Sequence, residues 1–403
     1  MVVQDFFGWG QTGQYGYKIG FPKKQDRRPR PQNDLMNKLG VQITMEHELI
    51  KNFNLPRISR LMKGAVVKFD LSLKGLEVLT EAATGYFMFT PIIAAVAGAA
   101  KVYALTKDSR YGKASDIRDA TMALARHFGT EQRVEVISSS DAPEIANADI
   151  VTNLGHVRPL DKSFLSRMKK TAVIPLMYEA WEWRPEDLDL LACRGMGLPV
   201  LATNEEHERL QTMRFVGHLS LKLLFELDIE IFDSRIVVLG SGKFGGAVAR
   251  SLRDGGSSVS HMETESPEVL KKKEVLESLR QCEAVVIAEH VCREQLIGPS
   301  GPISGENLRR LNPSLVLAHI AGNVDQEDIR RSGLIHRPEK FARSGYMSMN
   351  TGYLGPRPCI DLHTAGLKIG EIMARARLGG KNRLEAEKAG LKLGFAETIP
   401  SPD

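Results

Sequence analysis

The sequence predicts an α/β chain of two units, each a doubly wound parallel sheet covered by helices, joined by a long helix and preceded by an irregular arm. Three observations carry this. Apolar runs alternate with amphipathic segments from Asp70 onward, the pattern of strands and helices in a parallel sheet. A long helical stretch over 205–227 ends at a new buried strand, 235–239, which opens a second series of the same kind. The first 33 residues fit neither pattern. The 403 residues accommodate two domains at ~100–200 residues each. The boundaries read as an arm at 1–33, a first domain at 34–205, the linking helix with a second domain at 206–345, and a loop with a C-terminal return to the first domain at 346–403.

In the arm, Gly8, Gly10, Gly13, Gly16 and Gly20 interleave with Phe6, Phe7, Trp9, Tyr15 and Tyr17. The basic run Lys23-Lys24-Gln25-Asp26-Arg27-Arg28-Pro29-Arg30-Pro31 follows and excludes regular helix or paired strand. The aromatics predict that part of this arm docks on a surface. The apolar stretch 87–100 contains Thr90, Pro91 and Gly98 and falls short of the ~18 residues of a membrane span, so it reads as a buried helix. Strands are expected at 101–106, 134–137, 149–153, 171–177 and 199–201. Helices are expected at 117–128 and 162–169 and near Leu188.

Composition excludes several classes. With 42% hydrophobic, 26% charged and 6% aromatic residues, the chain is not wholly disordered. A net charge of +5 is too small to point to nucleic acid. Cys193, Cys282, Cys292 and Cys359 form no C-x-x-C pair, so neither a disulfide framework nor a metal site is expected. The N-terminus lacks the pattern of a signal peptide. A cytoplasmic protein without a membrane partner is the expectation.

The sharpest motif is Gly240-Ser241-Gly242-Lys243-Phe244-Gly245, directly after a buried strand and before a helix. Glycines in this spacing permit a tight turn, close approach of a pyrophosphate and close helix–strand packing. The helix N-terminus presents free N–H groups to phosphate. The next strand, 258–262, ends at Glu263, about 20 residues beyond the glycines, where a carboxylate accepts from ribose hydroxyls and repels a 2′-phosphate. The motif therefore predicts NAD as cofactor rather than NADP. Strands at 284–288 and 315–320 continue the Rossmann-like unit, with a helix at 305–311 between them. Their ends, Glu289-His290 and Ala321-Gly322-Asn323, would face the nicotinamide half of the crevice.

The order of parts over roughly 145–375 resembles the formate/glycerate dehydrogenase-like superfamily, which includes D-2-hydroxyacid dehydrogenases and S-adenosylhomocysteine hydrolases. The stretch from Leu190-Leu191-Ala192-Cys193 to Pro199-Val200 resembles the dehydrogenase segment before the linking helix. Asp361-Leu362-His363-Thr364-Ala365-Gly366 resembles the segment that carries the family's catalytic histidine, which assigns that role to His363. The chain also departs from the pattern. Ala321-Gly322 stands where the dehydrogenases have Arg-Gly, and the glutamate partner of the histidine has no counterpart. Ile320-Ala321-Gly322-Asn323-Val324-Asp325-Gln326-Glu327 is similar to a hydrolase segment, yet Arg209 and Met213 replace the hydrolase lysine and aspartate. The resemblance implies a divergent member with an altered substrate site.

His363 is thus the leading acid/base, since imidazole titrates near neutrality, with Asp361 as its orienting partner. His290 and His319 are alternative bases. The loop Asn153-Leu154-Gly155-His156-Val157-Arg158 would face the nicotinamide across the cleft. Its N–H groups at Asn153, Gly155 and His156, with Arg158, would anchor a substrate carboxylate or phosphate. Arg343 and Arg357 are further anchors, at the two ends of a glycine-rich loop, 344–358, expected to act as a lid. Glu179, Trp181, Glu182 and Trp183 read as a contact between domains or protomers.

The expected function is an NAD-dependent oxidoreductase transferring hydride to or from a small polar, acidic substrate. One alternative is an enzyme that holds NAD tightly and works by transient oxidation. The other is a non-catalytic protein that binds NAD as a sensor or as an assembly component. The expected oligomer is a homodimer built through the second domain.

Overall fold

The computed structural model describes residues 47–400; the arm at 1–33 and the first residues of the first domain lie outside that range. Helix α1 (Leu55–Lys68) opens the described chain. The Asn54 side chain caps it by accepting from the Arg57 N–H at 3.0 Å, and Pro56 occupies its first turn. Strand β1 (Glu77–Glu81), helix α2 (Thr90–Val96), β2 (Lys101–Leu105), α3 (Ala114–His127), β3 (Val134–Ile137) and β4 (Ile150–Val151) follow. These strands pair in the order β3-β2-β1-β4, all parallel.

The same sheet continues through backbone bonds between Val151 and Val173 and between Val173 and Asp149, both at 3.0 Å. It then takes in β5 (Ile174–Pro175) and, after α4 (Lys162–Arg167) and α5 (Leu190–Met196) in the chain, β6 (Val200–Thr203). The strand β12 (Ala396–Glu397) closes its edge antiparallel to β6. The lateral order therefore reverses between β1 and β4.

Helix α6 (Thr212–Phe225) links to the second sheet. It begins later than the expected 205, because 204–211 is held in turns. Gln211 has φ +52, and the Thr212 N–H donates to the Glu205 carbonyl at 2.9 Å. The second series runs β7 (Arg235–Leu239), α7 (Gly242–Asp254), β8 (Ser258–Met262), α8 (Lys273–Gln281), β9 (Ala284–Ala288), α9 (Gly305–Leu311), β10 (Val316–Ala321), α10 (Gln326–Ser332) and β11 (Ile335–Arg337). All five strands are parallel in the order β8-β7-β9-β10-β11. The order reverses between β7 and β9. Strand residues alternate between two cores: Ile236 and Val238 face one side, Val237 and Leu239 the other.

Helix α11 (Pro356–Leu378) returns to the first sheet and packs on α1, α2 and β6, with α12 (Arg383–Leu391) against it. A Cβ on Gly366 would lie 2.2 Å from the Met177 sulfur, so a larger residue there requires that side chain to move. The expected loop 344–358 is shorter than its composition suggested. It gives way to helix at Pro356, and it is pinned to β10: the Ser348 N–H donates to the Ile320 carbonyl at 2.7 Å, and Met347 bridges Ala321. That anchoring argues against a free lid.

Candidate active site

Open parallel sheets bind ligands outside the carboxyl ends of their strands, where the strand order reverses. The chain has two such points. At the β7/β9 reversal, the glycine turn is built by close packing. A Cβ on Gly240 would sit 2.2 Å from the Ala288 carbonyl oxygen, and one on Gly245 would sit 2.0 Å from that of Gly240. Gly242, with φ +59, starts α7, so the first N–H groups of that helix lack intrahelical acceptors. Phe244 points into the core at 1% exposure.

Glu289, just beyond β9, braces this turn. Its Oε2 accepts from the Ser241 N–H at 2.8 Å and the Thr264 hydroxyl at 2.6 Å. Its Oε1 accepts from the Val291 and Cys292 N–H groups at 2.6 and 2.9 Å. Burial pushes this carboxyl up, but the four donors outweigh it and hold it below the usual carboxylate range. His290 stacks on Phe244 at 4.4 Å, with Trp181 edge-on at 5.3 Å. Its Nδ1 is buried without a partner, and burial pushes the ring down to about 4. Glu263 stands exposed at the end of β8.

The turn offers a dinucleotide three glycines, a helix start and, at the end of the next strand, the exposed Glu263. The face that Gly242 leaves bare is covered by the His290 ring, whose Cε1 would lie 3.0 Å from a Cβ there. A pyrophosphate on that face would require that ring to move. Ala321, Gly322 and Asn323 stitch the end of β10 to its neighbours. The Ala321 carbonyl accepts from the Glu289 N–H at 3.0 Å, Gly322 has φ +133, and Asn323 Nδ2 donates to the Arg293 carbonyl at 2.8 Å.

Between the two sheets lies a cavity of about 260 Å³, lined among others by Glu179, Glu182, Glu205, Met177, Phe244 and His363. His363 is 2% exposed. Its Nδ1 is 2.6 Å from the Thr90 hydroxyl, which itself donates to the Phe87 carbonyl at 3.0 Å. With that hydroxyl hydrogen committed, Nδ1 carries the imidazole hydrogen and donates, and Nε2 is left as a bare acceptor. Burial pushes the ring down to about 4, so it is neutral at pH 7.

Asp361 does not orient this histidine. The segment 361–366 belongs to helix α11, where positions two apart point about 200° away from each other. Asp361 instead accepts from Lys68 Nζ at 2.9 Å. His319 is not a free base either: its Nδ1 meets the Ser348 hydroxyl at 2.7 Å and its Nε2 the Gly322 carbonyl at 3.1 Å.

The acidic–aromatic group after β5 forms one wall of this cavity. Glu179 Oε2 accepts from Trp181 Nε1 at 2.6 Å and from Lys243 Nζ at 2.5 Å, so Lys243 ties the second sheet's glycine turn to the first domain. Burial, and then the neighbouring Glu179, push Glu182 up to about 7. Burial, then Glu182 and Glu179, hold Glu205 well above the carboxylate range. Arg158 and Arg184 pull Glu182 the other way, and Lys243 pulls Glu205, without overcoming burial.

The second reversal, β1/β4, opens on a larger cavity of about 700 Å³. Glu81, Tyr86, Phe87, Lys107, Tyr111 and His156 line it, and it shares Phe87, Gly155, Asn350 and Cys359 with the smaller one. Glu81, 3% exposed, accepts from the His156 N–H at 2.9 Å. Burial pushes it up to about 7, against the His156 N–H and the charges of Arg158 and Lys107.

The expected anchors sit differently. Arg158 lines the smaller cavity, but its Nη1 donates to Asp187 at 3.1 Å and its Nε to the Asn153 carbonyl. Its guanidinium lies 4.9 Å over the Tyr178 ring. It is therefore not free to hold a carboxylate. Asn153 is fully buried and accepts from the Met177 N–H at 3.2 Å. Arg357 is exposed on the first turn of α11. Glu81, Thr90 and Glu205 were not singled out by the sequence, and Glu289 was named only as a strand end facing the crevice. The run Glu77-Val78-Leu79-Thr80-Glu81 is an apolar strand closed by an acid, a pattern that could have flagged Glu81.

Among the described residues no group of His, Cys, Asp or Glu could hold a metal ion, and no helix is long and apolar enough to cross a membrane. No family model and no curated protein matches the chain. Solved structures do. A dipicolinate synthase chain from Bacillus halodurans is similar at 11% identity, covering 76% of this chain and 99% of that one, with a TM-score of 0.46. A pyruvate reductase of Chlamydomonas reinhardtii is similar at 12% identity, covering 77% and 98%, with a TM-score of 0.46. NAD⁺-bound 3-phosphoglycerate dehydrogenase of Entamoeba histolytica is similar at 12% identity, covering 76% and 96%, with a TM-score of 0.38.

Proposed function

We propose that this protein is an NAD(H)-dependent oxidoreductase whose acid/base is Nε2 of His363. The observation that carries the reading is one cleft bounded by the glycine turn at the β7/β9 reversal and by a buried, neutral imidazole with one nitrogen bare. The Gly240-to-Gly245 turn and Glu263 would hold the dinucleotide, which supplies a hydride acceptor or donor when bound. In the oxidative direction the substrate's hydroxyl or amine proton passes to His363 Nε2 as the C–H hydride departs. Thr90 keeps the ring in the orientation and tautomer this needs. Burial between two sheets keeps water from the reacting carbon.

The carboxylate anchor expected at Arg158 finds no support, because that guanidinium is already engaged. The fold, the cofactor turn and the histidine support the reading without it. A homodimer through the second domain and a cytoplasmic location are part of the same proposal. Phe225 and Phe232, 61% and 79% exposed on that domain, support the former. Light scattering giving a monomer would remove it.

Titration with NADH, followed by protein fluorescence, tests the cofactor. Saturable binding is expected, weakened by Gly242→Val, and an absence of binding overturns the reading. Once turnover is detected, His363→Gln should lower it by ~10²–10⁴ with NADH affinity nearly unchanged. Full turnover in that variant places the base elsewhere, with His290 the next group to replace.

A further inference from the structure

The two cavities are neighbours that share Phe87, Gly155, Asn350 and Cys359 as lining residues. The larger, about 700 Å³, is the size of pockets that enclose a whole drug-sized ligand, and far exceeds what a small hydroxy acid fills. The rings of Tyr86, Phe87 and Tyr111 are its largest apolar surfaces, alongside the polar groups of Glu81, Lys107 and His156. Such surfaces take a flat apolar body.

The smaller cavity also has apolar walls, among them Met177, Trp181 and Phe244, but it adds a group of three carboxyls. Glu179, Glu182 and Glu205 converge there. Lys243 donates to Glu179, Glu182 accepts from the Glu179 N–H at 3.4 Å, and the Thr212 side chain bonds Glu205. Arg158, the other cation on its wall, is committed to Asp187 and the Asn153 carbonyl. Burial holds Glu182 and Glu205 toward their neutral forms, and a further cation between them would stabilise the ionised ones. An independent feature marks the same space as a ligand site: His363, 2% exposed, lines it with Nε2 unpartnered.

We propose that the substrate is an amphipathic amine, with a flat apolar body in the larger cavity and a basic nitrogen held by Glu182 and Glu205 in the smaller one. This rests on the oxidoreductase reading only in calling the ligand a substrate. A carboxylate in the nitrogen's place would lie beside the ionised Glu179 and gain no cation, whereas an ammonium would draw Glu182 and Glu205 into their ionised forms.

Three probes of one shape decide it: tryptamine, its neutral analogue tryptophol, and indole-3-acetate, titrated by calorimetry into the full-length protein saturated with NAD⁺. Tryptamine should bind at least about tenfold more tightly than tryptophol, and indole-3-acetate more weakly still. Ethylamine, which lacks the body, should bind far more weakly than tryptamine. Glu205→Gln should remove most of the tryptamine preference and leave tryptophol unchanged, and Ala83→Phe, which fills the larger cavity, should weaken all three indoles. If either variant fails to fold, the ranking on the unaltered protein decides. Indole-3-acetate binding as well as tryptamine, ethylamine matching tryptamine, or no indole binding overturns the proposal. Failure of NAD⁺ itself to bind, measured first, overturns the oxidoreductase reading instead.

Discussion

The two strand-order reversals each carry a glutamate at the carboxyl end of a strand, and the two behave in opposite ways. Glu289 beside β9 receives four donors and stays ionised although 1% exposed. Glu81 at the end of β1 receives a single N–H, from His156, and burial pushes it up to about 7. One is a brace that closes its crevice, and the other is a titrating group facing an open cavity. Both are almost inaccessible to water, but Glu81 lies deeper and receives fewer N–H and O–H groups, and the two differences act in the same direction.

Removing the brace should have the largest effect. Glu289→Ala strips an acceptor from three buried N–H groups and a hydroxyl and should cost about 3–5 kcal/mol in urea denaturation. NADH affinity should fall with it, because the Ser241 turn loses its anchor. A cost under about 1 kcal/mol would mean that water replaces the carboxylate and that the contrast between the two glutamates is unfounded.

Glu81→Gln should move stability the other way. A carboxyl whose folded pKa lies above its unfolded value contributes stability fully present below about 4.5, and that contribution is lost as pH rises through about 7. A shift of this size corresponds to about 3–4 kcal/mol. Glutamine keeps the acceptor for His156 and does not titrate, so the variant should be the more stable at pH 8 by about that amount. The difference should vanish near pH 4.5. Glu289 has the reverse sign: its contribution is present above the ordinary carboxylate range and disappears as the pH falls below it. Parallel pH-stability curves for Glu81→Gln and the unaltered protein would collapse the distinction.

The smallest effect is expected at the rim of the braced crevice. Glu263→Gln should reduce the preference for NADH over NADPH by about tenfold without altering the melting temperature. A preference unchanged by the substitution would move the ribose contact to another residue.

Much of the second domain was legible because its signals are local. A buried strand, three glycines and a helix start occupy consecutive positions, and β7, the turn and α7 form where they were expected. The site was less legible because its parts are distant in sequence. Glu179 and Glu182 follow β5, Glu205 precedes α6, Lys243 opens α7 and His363 lies on α11. Asp361 shows the same limit from the other side. Two residues apart is one face of a strand but opposite faces of a helix, and α11 turns Asp361 toward Lys68.

By itself the sequence determined the alternation of strands and helices, the glycine turn and the carboxylate that follows the next strand, since periodicity and glycine spacing act through nearest neighbours. Only the tertiary structure decided which histidine keeps a bare nitrogen, which arginine is already engaged and which glutamate holds a proton near neutrality. Those properties depend on lost water and on donors arriving from other elements. Thr90 beside His363 and Asp187 beside Arg158 are set by how the sheets and helices pack, not by the residues next to them in the chain.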